Sequence, residues 1–184
     1  MMHKICFGEK KVLKDFNLLI TTSRGNEDNT CAEILNLLGE VGNAAVTVDK
    51  TGITGLIVVK SAFSPFEIIE KFRGILKERP WDFRYTLRVI PIEKVVPTDL
   101  REIERIATEL ASKIKENETF RVTVEKRFTK ISSKDMVEAA AANIERKVNM
   151  TSPDKIVLIE VIGGFTGISV VESTDILSVM KERM

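Results

Sequence analysis

Lys155 to Glu172 reads KIVLIEVIGGFTGISVVE, and its reading decides the fold. Every position from Ile156 to Ile162 is β-branched or aliphatic except Glu160, the pattern of a strand covered on both faces. Gly163-Gly164 permits a tight reversal, and Phe165 to Val171 continues as a second strand. A membrane-spanning helix needs about 20 apolar residues, whereas this run carries Glu160 and three glycines. The stretch is therefore a buried hairpin, and the segments before it must cover it.

A chain of 184 residues has room for one domain or two small ones with a real core. Its 43% hydrophobic and 30% charged residues fit a globular protein rather than a disordered or membrane one. The net charge of +1 excludes a global electrostatic field, so any nucleic-acid binding must come from a local patch. Cys6 and Cys31 are the only cysteines and lack CxxC spacing, which points to a reducing, cytoplasmic setting. Residues 1–15 carry charge without an apolar signal region and read as an N-terminal tail.

The first domain spans residues 16–91. Phe16 to Thr22 is a strand, and Cys31, Ile34, Leu35 and Leu38 give the stripe of a helix ending near Gly39 or Gly42. Ala45 to Asp49 and Gly55 to Lys60 are strands around a turn. Ser64-Pro65-Phe66-Glu67 predicts a helix start with a capping box, its buried face being Phe66, Ile69, Phe72 and Leu76. Arg84 to Ile90 alternates, with Arg84, Thr86 and Arg88 facing away from Tyr85, Leu87 and Val89. The βαββαβ order is ferredoxin-like, an antiparallel sheet with both helices on one face.

Pro91 to Pro97 reads as a linker, and a second domain covers residues 96–184. Thr98 or Asp99 caps a helix with the stripe Leu100, Ile103, Ala107, Leu110 and Ile114. Phe120, Val122 and Val124 alternate with Arg121, Thr123 and Glu125 in a half-exposed strand. Ser132 with Asp135 opens a helix whose core face is Val137, Ala140, Ala141, Ile144 and Val148. Asp175 to Arg183 reads as a short helical tail. The fold class is α+β, with mixed α/β layers in two domains.

The common catalytic constellations are missing from the sequence. No GxxxxGK loop or GxGxxG follows a strand, and Gly163 to Gly167 joins two strands rather than a strand and a helix, so no nucleotide cofactor is expected. His3 is the only histidine, which removes nucleophile–histidine pairs and most metal sites, and a His3–Cys6 metal pair lacks further obvious ligands. Glu160 is a carboxylate inside an apolar strand, with a structural role, paired with a lysine or arginine, weighed against a catalytic one. What remains is cationic. Arg121, Lys126, Arg127, Lys130 and Lys134 run across a strand end, a loop and a helix start, where side chains and free N–H groups can converge on a phosphate. Alternation places Arg121 and Arg127 on one strand face with Lys126 opposite, and Lys130 and Lys134 bracket the helix start near the same edge. Arg84 and Arg88 are a second, weaker cationic pair. The bland reading of both groups is a solvated surface.

Residues Val96 to Glu172 resemble the THUMP domain of tRNA-modifying enzymes. The carrying residues are FRVTVEKRF at 120–128, SSKDMVEAAAANI at 132–144, SPDKIVLIEV at 152–161 and GISVVE at 167–172. The arrangement is similar to the stand-alone THUMP adaptors of tRNA cytidine acetylation. That resemblance implies a ferredoxin-like domain before the THUMP domain and binding to tRNA. It further implies a separate acetyltransferase as partner, no membrane, and no catalysis by the chain itself. The twelve residues after Glu172 are too few for a catalytic module. The alternatives are a small RNA-modification enzyme with a site around Glu160, or a protein-interaction module.

Overall fold

The computed structural model describes residues 14–43 and 45–184. His3, Cys6 and most of the expected N-terminal tail lie outside the described residues. In chain order the elements begin with β1 (Leu18–Thr22), α1 (Glu27–Glu40), β2 (Val46–Lys50), β3 (Leu56–Ser61), α2 (Pro65–Glu78) and β4 (Thr86–Pro91). Next come β5 (Lys94–Pro97), α3 (Leu100–Leu110), β6 (Thr119–Arg127), α4 (Ser133–Ala141) and β7 (Lys147–Val148). The chain ends with β8 (Lys155–Ile162), β9 (Phe165–Val171), β10 (Leu177–Ser178) and α5 (Val179–Glu182). Two units result: Met1–Pro91 with Asp175–Met184, and Ile92–Thr174. The class is α+β, as the sequence predicts.

In the first unit the strands are antiparallel in the order β10-β4-β1-β3-β2. One core joins the inward residues of the sheet (Leu18, Ile20, Ile57 and Val59) to Ile34 and Leu38 of α1 and to Ile69 and Phe72 of α2. Burial on α1 centres on Ile34, Leu37 and Leu38, and on α2 on Ile68, Ile69, Phe72 and Leu76, so Cys31, Leu35 and Phe66 are only half-buried. Pro65 opens α2 as expected, but the Ser64 hydroxyl makes no capping bond. Phe83 packs edge-on against Phe72 at 6.0 Å.

The last residues correct the sequence reading. Asp175–Met184 is not a tail of the second domain. β10 pairs with β4, Leu177 opposite Val89, and Leu177 and Val179 are buried in the first unit's core. Glu182 accepts from Arg73 at 2.8 Å, and Arg183 donates to the carbonyls of Pro80 and Phe83. A two-residue strand has no visible period, so its flanking polar residues read as a surface helix.

In the second unit the order is β5-β9-β8-β6-β7. β8 and β9 form the expected hairpin, from Ile156 opposite Val171 to Ile162 opposite Phe165, with Gly163 at φ 58 in the turn. β6 is parallel to both β8 and β7. The expected linker is instead edge strand β5, antiparallel to β9, with Pro97 at its end, where a missing N–H costs no ladder bond. Asp99 caps α3, accepting from the N–H of Arg101 at 2.9 Å and of Glu102 at 3.2 Å. Thr98 holds the hairpin turn instead, donating to the Gly163 carbonyl at 2.8 Å. Ile103, Ile106 and Ala107 of α3 pack with Met136 and Ala140 of α4 over Val157, Ile159 and Ile168. Ala140 and Ile144 are buried as expected; Met136, not Val137, completes that face, Val137 and Ala141 are half-buried, and Val148 is 54% exposed in β7.

Two carboxylates give a pH expectation. The Gly55 N–H donates to Glu27 at 2.6 Å and holds its carboxyl below its ordinary value, and the Thr119 N–H and hydroxyl do the same for Asp154. A lowered folded pKa means stability present above the unfolded value and lost as pH falls through the folded one. Thermal melts between about pH 6 and pH 3 should therefore drop less steeply in Glu27→Gln than in the native protein. Identical profiles would remove Glu27 from the acid response.

Candidate nucleic-acid interface

β6 enters the sheet at Thr119, where the Thr119 N–H and hydroxyl both donate to Asp154. Its even-numbered residues Phe120, Val122 and Val124 face the helices, and Arg121, Thr123, Glu125 and Arg127 face the other side. The strand rises about 3.3 Å per residue, so Arg121 and Arg127 stand roughly 20 Å apart. This separates two residues that the sequence placed at one edge. Arg121 donates to the Met150 carbonyl at 2.9 Å, near the start of the strand.

Arg127 is not the exposed cation expected from alternation. Its guanidinium donates to Glu160 at 2.9 Å, and the two side chains are 22% and 4% exposed. β6 and β8 run parallel with Glu125 beside Glu160 and Arg127 beside Ile162, so Arg127 reaches Glu160 from two positions further along on the same sheet face. Glu160 is therefore ion-paired with an arginine, the structural role weighed in the sequence, and this pair draws Arg127 inward.

The cations on solvent lie at the end of β6 and beyond it. Lys126, Lys130 and Lys134 are all exposed. Lys126 donates to the Ile131 carbonyl at 3.2 Å, strapping the loop between β6 and α4. Lys134, in the first turn of α4, lies 3.9 Å from Glu138, a solvent-facing pair worth little. Lys130 has no acidic partner among the described residues. The Ser132 hydroxyl accepts from the Asp135 N–H at 3.0 Å, so α4 is capped as predicted. From Lys126 to Lys134 the chain holds four cations (Lys126, Arg127, Lys130, Lys134) and no acid.

One residue of this loop escaped the sequence reading. Phe128 has φ 55 and is 82% exposed. It continues the even-numbered positions of β6 and so reads as core, but the strand ends at Arg127 and the backbone turns it out. Its neighbours Lys126, Arg127 and Lys130 are the signal that could have marked it.

Arg84 and Arg88 are exposed on the first unit without an ion-pair partner among the described residues. Arg84 precedes β4, its N–H donating to Glu33 at 2.8 Å, and it lines an open groove of about 400 Å³ with Trp81, Tyr85, Asn29 and Asn36. Arg88 lies opposite Ser178 of β10, and Thr86, expected beside it on the open face, is buried. The Cys31 thiol is pushed up to about 11 by burial and stays protonated, the opposite of a nucleophile. No group that could hold a metal occurs among the described residues, nor any helix long and apolar enough to cross a membrane.

Residues 97–171, within the second unit, match the family model of the THUMP domain. The fold is shared with PH1313 of Pyrococcus horikoshii Ot3 (TM-score 0.65, 19% identity, 88% of this chain and 55% of that one). It is also shared with TrmN of Thermus thermophilus (TM-score 0.57, 18% identity, 83% and 44%). A third structure with this fold is a 4-thiouridine synthetase–RNA complex with bound ATP (TM-score 0.52, 16% identity, 86% and 42%). The chain spans about half the length of these proteins. No curated protein matches it significantly in sequence.

Proposed function

We propose that this chain is a non-catalytic tRNA-binding adaptor for tRNA modification, serving 4-acetylcytidine formation in the D-arm by a separate acetyltransferase. The THUMP match over residues 97–171 carries the reading, because it encloses the acid-free cationic loop from Lys126 to Lys134. One protein of the same fold, the 4-thiouridine synthetase, was crystallised with RNA, which supports RNA as the ligand class. The acetylation assignment is supported by the sequence resemblance described above. Glu160, on which the enzyme alternative rests, is engaged with Arg127.

Titrating tRNA at several salt concentrations tests the binding. Lys130→Ala and Lys134→Ala should each lower the slope of log affinity against log salt by just under about 1, and weaken different tRNAs alike. Slopes unchanged in both variants would leave the loop a solvated surface and move attention to Arg84 and Arg88. The adaptor role is tested separately with unmodified tRNA and acetyl-coenzyme A. Binding without acetylated product is expected, and turnover by this chain alone would refute it.

A further inference from the structure

Resting on the RNA-binding reading above, we propose that Phe128 is a stacking platform for an unpaired base of the bound RNA. A phenylalanine at φ 55 is an outlier for a bulky side chain, and such strain persists only where the surroundings over-determine it. Here they do. The Arg127 carbonyl accepts from the Gly163 N–H at 2.9 Å on one side of Phe128. On the other, Lys126 holds the Ile131 carbonyl and the Thr129 hydroxyl accepts from the Ile131 N–H at 3.3 Å. Ile131 packs toward the core while Phe128 stands 82% exposed. The loop thus spends its one aromatic ring on solvent, between Lys126 and Lys130.

Charge complementarity selects the occupant. A ring meant for an apolar protein groove gains nothing from the exposed Lys126, Lys130 and Lys134 around it, whereas a polyanion with flat apolar bases uses both ring and charge. In a duplex the bases are stacked on one another and give the ring no free face. The ligand is therefore single-stranded or splayed RNA, its phosphates near Lys130 and Lys134 and a base on Phe128.

The test uses the full chain, a short single-stranded RNA bearing one 2-aminopurine, and the same strand annealed to its complement. Phe128→Ala and Phe128→Gly should weaken single-strand binding by roughly tenfold, within about 5- to 150-fold. They should leave the salt slope unchanged, since no phosphate contact is lost. Phe128→Tyr should restore affinity and 2-aminopurine quenching, and duplex binding should not respond. Phe128→Gly relieves the positive φ, so thermal stability at or above the native value would show that lost binding is not lost folding. Native protein that binds RNA while both truncations keep full single-strand affinity would overturn the stacking role alone and leave this ring to a protein partner. Native protein that binds neither RNA would overturn both this inference and the function it rests on.

Discussion

Leu177→Ala is expected to destabilise the first unit by about 3 kcal/mol, within the roughly 2–5 kcal/mol range of buried leucine truncations. Leu177 is 0% exposed, shares the core cluster of Phe72, Phe83 and Val89, and sits on a strand paired to β4. The expectation is kept to the lower half of the range because β10 is two residues long and near the chain end, so the site can partly collapse. Trp81, the only tryptophan, lies in the same unit, and its fluorescence through a urea titration reads the loss. Met180→Ala, at a position 61% exposed, is the matched control and should stay within about 0.5 kcal/mol. Equal effects of the two substitutions would return residues 175–184 to the surface tail that their sequence suggests.

That contrast shows where local pattern carries information. The β8–β9 hairpin was legible because a seven-residue apolar run and a Gly-Gly turn leave one solution. Helix starts at Asp99 and Ser132 were legible because capping chemistry is local. β5, β7 and β10 were not, since strands of two to four residues show no period and exist only through their partners in the sheet. On α4 Ala140 and Ile144 were legible, but Val137 was read as core in place of Met136, because four consecutive alanines, Ala139 to Ala142, mark no sharp face. At the site, the exposure of Lys130 and Lys134 followed from a loop and a helix start. The burial of Arg127 depended on the parallel register of β6 with β8, a pairing across 33 residues that no local rule encodes.

The same register makes Arg127→Ala the other large effect. Glu160 is 3% exposed, and removing one partner of a buried pair costs more than the pair contributes, because the remaining buried charge loses its Arg127 contact. Fully buried pairs lose about 3–5 kcal/mol in this way. Arg127 keeps 22% of its side chain in solvent, and screening lowers the expectation to about 2 kcal/mol. Hydrogen exchange of the β6 and β8 amides is the measurement, since Trp81 does not report on this unit. The double variant Arg127→Met/Glu160→Leu should recover most of the loss, because it replaces both charges with apolar groups of similar length on a buried sheet face. The backbone bond from Gly163 to Arg127 survives either change, so the loop carrying Phe128 and Lys130 keeps its anchor. RNA binding then separates the two roles of Arg127. If affinity and salt slope return with the fold in the double variant, Arg127 is a structural cation and Lys130 and Lys134 hold the phosphates. If the fold returns while the slope stays lower by about 1, the guanidinium reaches a phosphate as well as Glu160.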